Sequence, residues 1–199
     1  MKNMNHGNGA SIHQASGTGL QMNQGAKAQH GNGQQLKGTG DCLLLSSTLD
    51  GSITLSADAA AGLVYMIEEE KMAMDLYDAL FATTGSAVFD RISGSEQKHF
   101  DTLMLVAAKA GLDVSGVSTT AGVFTNPDIQ ALYNSLLQQG SASADAAYNV
   151  GVLVEQTDIA DLKENIAVAD IGIVGTVYAN LMNASVHHLA AFSNYADLA

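Results

Sequence analysis

Four long stretches restrict what this chain can fold into. Ala57 to Thr83, Ser86 to Ala110, Ser143 to Ala169 and Asp170 to Ala196 carry apolar side chains at helical spacing, with no proline inside. Ser56 suits the N-cap of the first, Gly85 stops it, and Gly111 stops the second. Gly94 is the point at which the second can divide into two pieces. The single proline, Pro127, follows Asn126 as a cap and first-turn pair for a shorter helix ending near Gly140. This pattern predicts an all-α fold: a four-helix bundle over residues 56–199. One long crossover, about residues 111 to 142, contains the short extra helix.

Each long helix breaks its own apolar stripe with a polar residue. In the stretch "SEQKHF", Glu96 and His99 share a face with Ile92, Leu103 and Val106, because positions three and four apart lie together on a helix. The first helix gives Leu63, Met66, Glu70, Ala73, Tyr77 and Leu80, with Glu69 on the adjacent line. The third gives Val152, Glu155, then Asp158 or Ile159, Leu162 and Ile166. The fourth gives Tyr178, Leu181, Ser185, His188 and Phe192, with His187 on a rival line through Val177, Ala184 and Ala191. A carboxylate buried without a partner costs several kcal/mol and protonates instead. A divalent metal pair removes that cost, and carboxylates with imidazoles suit iron or manganese.

"YMIEEEKMAMDLY", "SEQKHFDTL" and "HHLAAF", in that order, resemble the ferritin-like superfamily. The nearer likeness is to its rubrerythrin-like branch and to an uncharacterised ferritin-like family of bacteria and archaea. The resemblance covers about residues 56 to 197. It implies a di-iron or di-manganese centre, two metals per chain, with Glu70, Glu96, His99, Glu155 and His188 as ligands, and an activity of the ferroxidase or peroxidase type. The family pattern calls for a glutamate at position 185, where this chain has Ser185 in "SVHH". Asp158, three residues after Glu155 in "EQTD", is the candidate to replace that lost oxygen ligand.

Residues 1–55 differ in kind. Up to residue 40 they are rich in Gly, Asn and Gln, and too poor in large apolar groups to offset ordering entropy. "HGNG" recurs at His6–Gly9 and His30–Gly33, which reads either as a metal-binding or self-associating arm or as low-complexity drift. Asp50-Gly51 suits a hairpin turn within 42–55. Residues 1–56 carry three basic and two acidic side chains, and residues 57–199 five and eighteen, so the net charge of -12 belongs to the helical part. That charge argues against nucleic acid and for cations. No signal peptide or membrane-spanning run is visible. Cys42 is the only cysteine, which excludes a rubredoxin-type cysteine pair as an electron source. The alternative function is a secreted structural subunit that self-assembles through its arm, as a homo-oligomer, filament or strand-exchanged assembly, or a simple metal-storage module.

Overall fold

A computed structural model describes residues 53–169 and 172–196. The low-complexity arm and the Asp50-Gly51 turn lie outside these residues. Among the described residues there are five helices and no strand: α1 (Ala57–Thr84), α2 (Ala87–Ala110), α3 (Pro127–Gly140), α4 (Ala144–Val168) and α5 (Ile173–Ala196). None is long and apolar enough to cross a membrane.

The ends form for local reasons. Extended Ser56 and Ser143 each accept a backbone N–H, from Ala59 and Ala146, and the Asn126 side chain accepts from Asp128 and Ile129. Gly85 takes a left-handed conformation (φ 68°) that closes α1 by donating its N–H to Phe81 O. α2 runs unbroken through Gly94. That glycine is exposed, so its weak helix propensity, about 1 kcal/mol against alanine, is outweighed by a buried face running from Val88 to Ala107. α5 runs from Ile173, and the expected start at Asp170 lies outside the described residues.

α1 packs along α2 and α4 along α5, while α1 also meets α4 and α2 meets α5, so the four long helices close a ring around one core. α3 lies against α1 and α4. Apolar side chains fill the two ends of this ring. Leu63, Met66, Leu103, Val106, Leu162, Val177 and Leu181 fill one, with Ile53 and Leu55 packed on it. Tyr77, Leu80, Phe89, Leu136, Val150, Val154 and Phe192 fill the other. Gly151 lets α4 approach α5 closely, since a Cβ there would stand 2.7 Å from the Phe192 ring.

The crossover is fastened to α1 by charge. Glu68 is buried and accepts from the backbone N–H of both Thr125 and Asn126, each at 2.7 Å. Lys71 pairs with Asp75, donates to Thr120 O at 2.9 Å and sits over the Phe124 ring, while Asp75 accepts from Gly122 N–H. Half of the charged run "EEEK" therefore holds the crossover and not a site. Bonds to a buried charge contribute about 1.5–3 kcal/mol each, and Glu68→Ala leaves two N–H groups unpaired. Urea denaturation should show a loss of roughly 2–4 kcal/mol. A change within about 0.5 kcal/mol, the range of an ordinary surface substitution, would refute that role.

Candidate metal centre

A polar belt lies between the two apolar ends. Each long helix enters it at mid-length: α1 with Glu69 and Glu70, α2 with Glu96 and His99, α4 with Glu155 and Asp158, and α5 with Ser185 and His188. All five carboxylates are at most 5% exposed.

The belt resolves into two groups of three. Glu70, Glu96 and His99 form one, and Glu96, Glu155 and His188 the other, with the ligand-type atoms of each within 4.8 Å of one another. Glu96 belongs to both. His99 Nδ1 lies 2.7 Å from Glu96 Oε2 and 3.2 Å from Glu70 Oε2. His188 Nδ1 lies 2.7 Å from Glu96 Oε1 and 3.5 Å from Glu155 Oε2. The two imidazole rings face each other at 5.6 Å. Each imidazole thus turns one nitrogen to two carboxylates, although one nitrogen carries at most one proton.

Hydrogen bonding leaves this cluster unfinished. Glu70 Oε1, Glu96 Oε1, Asp158 Oδ1, Glu69 Oε2 and His188 Nδ1 are buried without a hydrogen-bond partner. Glu96 Oε1 and His188 Nδ1 approach to 2.7 Å and still do not align as donor and acceptor. Short, misaligned approaches of this kind suit atoms that share a cation. Orphaned buried carboxylates are costly, whereas a bound metal satisfies them. The donor set therefore fits a divalent metal, and these residues could hold one.

The electrostatics agree. Burial pushes Glu70 up to about 7, with His99 opposing and Glu96 adding to the rise. Burial and the charge of Glu96 push Glu155 up to about 7 as well. Burial also raises Glu96, but the imidazoles of His99 and His188 outweigh it and hold that carboxyl below the usual range. His188 is raised to about 10 because Glu96 and Glu155 overcome its burial, and Glu96 and Glu70 raise His99 in the same way. Asp158 is pushed well up by burial and by the charges of Glu70 and Glu69.

A model of the family described as an uncharacterized protein domain (DUF2202) matches residues 59–198. The chain belongs to the DUF2202 family. The DUF2202 chain is 36% identical over 138 residues to the uncharacterized protein MJ0754 of Methanocaldococcus jannaschii, covering 69% of this chain and 75% of that relative. The crystal structure of hypothetical protein MJ0754 from Methanococcus jannaschii superposes with a TM-score of 0.71 at 34% identity, covering 73% of this chain and 83% of that one. Neither relative's name carries an activity.

The structure brings together five of the six expected site residues. Glu70 rather than Glu69 meets a histidine, and His188 rather than exposed His187 faces the belt. Asp158, not half-buried Ile159, points into the core, but it stands outside both triads. It lines a gap with Glu69, Glu70, Glu96 and Glu155 that is too narrow for a water molecule. Ser185 is fully buried and its hydroxyl donates to Leu181 O at 3.1 Å, so it satisfies its own helix. Sequence reasoning missed the partner of Glu155: Tyr77 donates its hydroxyl to Glu155 Oε1 at 2.6 Å. The available signal was a tyrosine on the same stripe of α1 as Glu70.

Proposed function

We propose that this chain is a ferritin-like two-metal carboxylate protein that takes iron or manganese. Glu70 and His99 would hold one metal, Glu155 and His188 the other, and Glu96, common to both groups, would serve both. The observation that carries this reading is the pair of triads with Glu96 in common. An iron or manganese pair, when bound, supplies redox chemistry toward dioxygen or peroxide, the ferroxidase or peroxidase type of reaction.

This chain's residues prepare for that charge. The His99 and His188 imidazoles lose their protons when metal binds, because the Nδ1 atoms that face the carboxylates must then offer lone pairs. Tyr77 occupies Glu155 Oε1 and leaves Oε2, the oxygen nearer His188, for the metal side. The apolar ends keep water from the belt and strengthen every interaction inside it. Asp158 supplies the carboxylate that Ser185 cannot, either as a direct ligand or through the neighbouring gap.

The test is elemental analysis of the full chain after iron or manganese supplementation. Two metals per chain are expected in the wild type. Asp158→Asn should lose one of them and keep the other. A wild-type protein that binds no divalent metal would overturn the reading, and two metals held at wild-type affinity in Asp158→Asn would remove Asp158 from it.

A further inference from the structure

Tyr77 does more than hold Glu155. Its ring begins an unbroken run of aromatic rings toward the surface. Tyr77 on α1 contacts Phe192 on α5 at 5.1 Å between ring centres and Phe89 on α2 at 6.0 Å, and those two phenylalanines meet at 5.1 Å. Phe89 stacks on Tyr148 of α4 at 5.6 Å with the planes 4° apart. Tyr148 stacks on Tyr195 of α5 at 5.0 Å, and Tyr195 is 36% exposed. Four helices contribute rings to one line. Its inner end is hydrogen-bonded to a belt carboxylate, and its outer end meets solvent.

We propose that Tyr77, Tyr148 and Tyr195 form a one-electron relay between the Glu155 side of the belt and the surface. It rests on the two-metal reading for what lies at its inner end, not for its path. Phenols can be oxidised when their protons have somewhere to go, and each of the three has an outlet. Tyr77 gives up one electron and passes its phenolic proton to Glu155 Oε1, which already accepts its hydrogen bond. Tyr148 then returns one electron to Tyr77, the proton goes back from Glu155, and Tyr148 releases its own proton through the Ser86 hydroxyl to which it donates at 3.0 Å. Tyr195 reduces Tyr148 in turn, Tyr148 takes a proton back through the Ser86 hydroxyl, and Tyr195 loses its own proton to water. The oxidant at the inner end is dioxygen or peroxide, through the redox chemistry that a bound metal pair would supply there. The reductant at the outer end is a soluble one-electron donor, which restores Tyr195 together with a proton from water. Phe89 and Phe192 are not oxidised; they fill the space between the phenols with π-systems. Such a relay supplies electrons without a cysteine pair, which this chain lacks.

The path can be tested without any metal. Full-length, metal-free protein is flash-oxidised at pH 8 from outside with tris(bipyridyl)ruthenium and persulfate, frozen and examined by electron paramagnetic resonance. A long-lived tyrosyl radical at buried Tyr77 is expected, because its proton can rest on Glu155 and solvent cannot reach it. Tyr77→Phe should abolish that signal. Tyr148→Phe should remove most of it while leaving short-lived oxidation at Tyr195. Tyr178→Phe, in the other apolar cluster, should leave the signal unchanged. A merely structural aromatic core predicts no difference between Tyr148→Phe and Tyr178→Phe. A wild-type signal that survives Tyr77→Phe, or is undiminished in Tyr148→Phe, overturns the relay. Metal content of the wild-type chain after iron or manganese supplementation decides the two-metal reading separately, so either can fail alone.

Discussion

Glu96→Gln should empty both metal positions at once. Glu96 is the one side chain common to the two triads, with one oxygen 2.7 Å from His99 and the other 2.7 Å from His188. The amide keeps its shape and removes its charge, and its nitrogen cannot ligate. Loss of an outer-shell partner typically costs 10- to 100-fold in metal affinity. Loss of a shared first ligand should exceed about 100-fold at each position. Elemental analysis after dialysis reads the outcome, and circular dichroism confirms that the helices remain. Retention of either metal at wild-type affinity would show that Glu96 does not serve both. The contrast with Asp158→Asn, expected to lose one metal, is the discriminating result.

The second large effect is an inversion of pH dependence on metal binding. In the metal-free protein Glu70 and Glu155 are raised from 4.5 to about 7, mainly by burial. Their folded forms therefore stay protonated where the unfolded chain has already ionised. The unfolded state binds fewer protons, so stability falls as pH rises between about 4.5 and 7. His188, raised from 6.5 to about 10, adds stability that is complete below 6.5 and lost as pH climbs through 10. Raised His99 works in the same direction. Glu96 opposes them: its lowered carboxyl contributes stability above 4.5 that disappears in stronger acid. The metal-free protein should therefore melt at a higher temperature at pH 5 than at pH 8.

Saturating metal reverses this order, because ligands must be deprotonated to bind. A ligand at 100 times its Kd stabilises by about 2.7 kcal/mol. At roughly 2–4 °C per kcal/mol for a chain of this size, each occupied position should raise Tm at pH 8 by about 5–10 °C. Calorimetry at the two pH values, with and without manganese, checks both signs. A metal-free Tm that rises from pH 5 to pH 8 would contradict the belt's electrostatics. A Tm at pH 8 indifferent to manganese and iron(II) would contradict the centre itself.

The helices were legible in the chain because their signals are local. Ser56, Asn126 and Ser143 cap, Gly85 and Gly111 stop, and the apolar spacing between them is a property of neighbours in sequence. The polar positions were legible for the same reason: Glu96 and His99 interrupt an apolar face whatever packs against it. Adjacent helical residues differ by about 100° in direction, so periodicity alone left Glu69 beside Glu70, Ile159 beside Asp158 and His187 beside His188. Only tertiary contact separates these pairs. His99 selects Glu70, burial selects Asp158 over Ile159, and the orientation of α5 leaves His187 exposed. The same limit hid the fastening of the crossover by Glu68 and Lys71, which joins residues about fifty positions apart. It also hid the line from Tyr77 to Tyr195, whose rings come from four helices and adjoin only after packing. The sequence by itself determined which helices form and that each carries a polar group inward. The tertiary structure decided which of those groups meet, because the distances that make a site are set between helices and no local pattern encodes them.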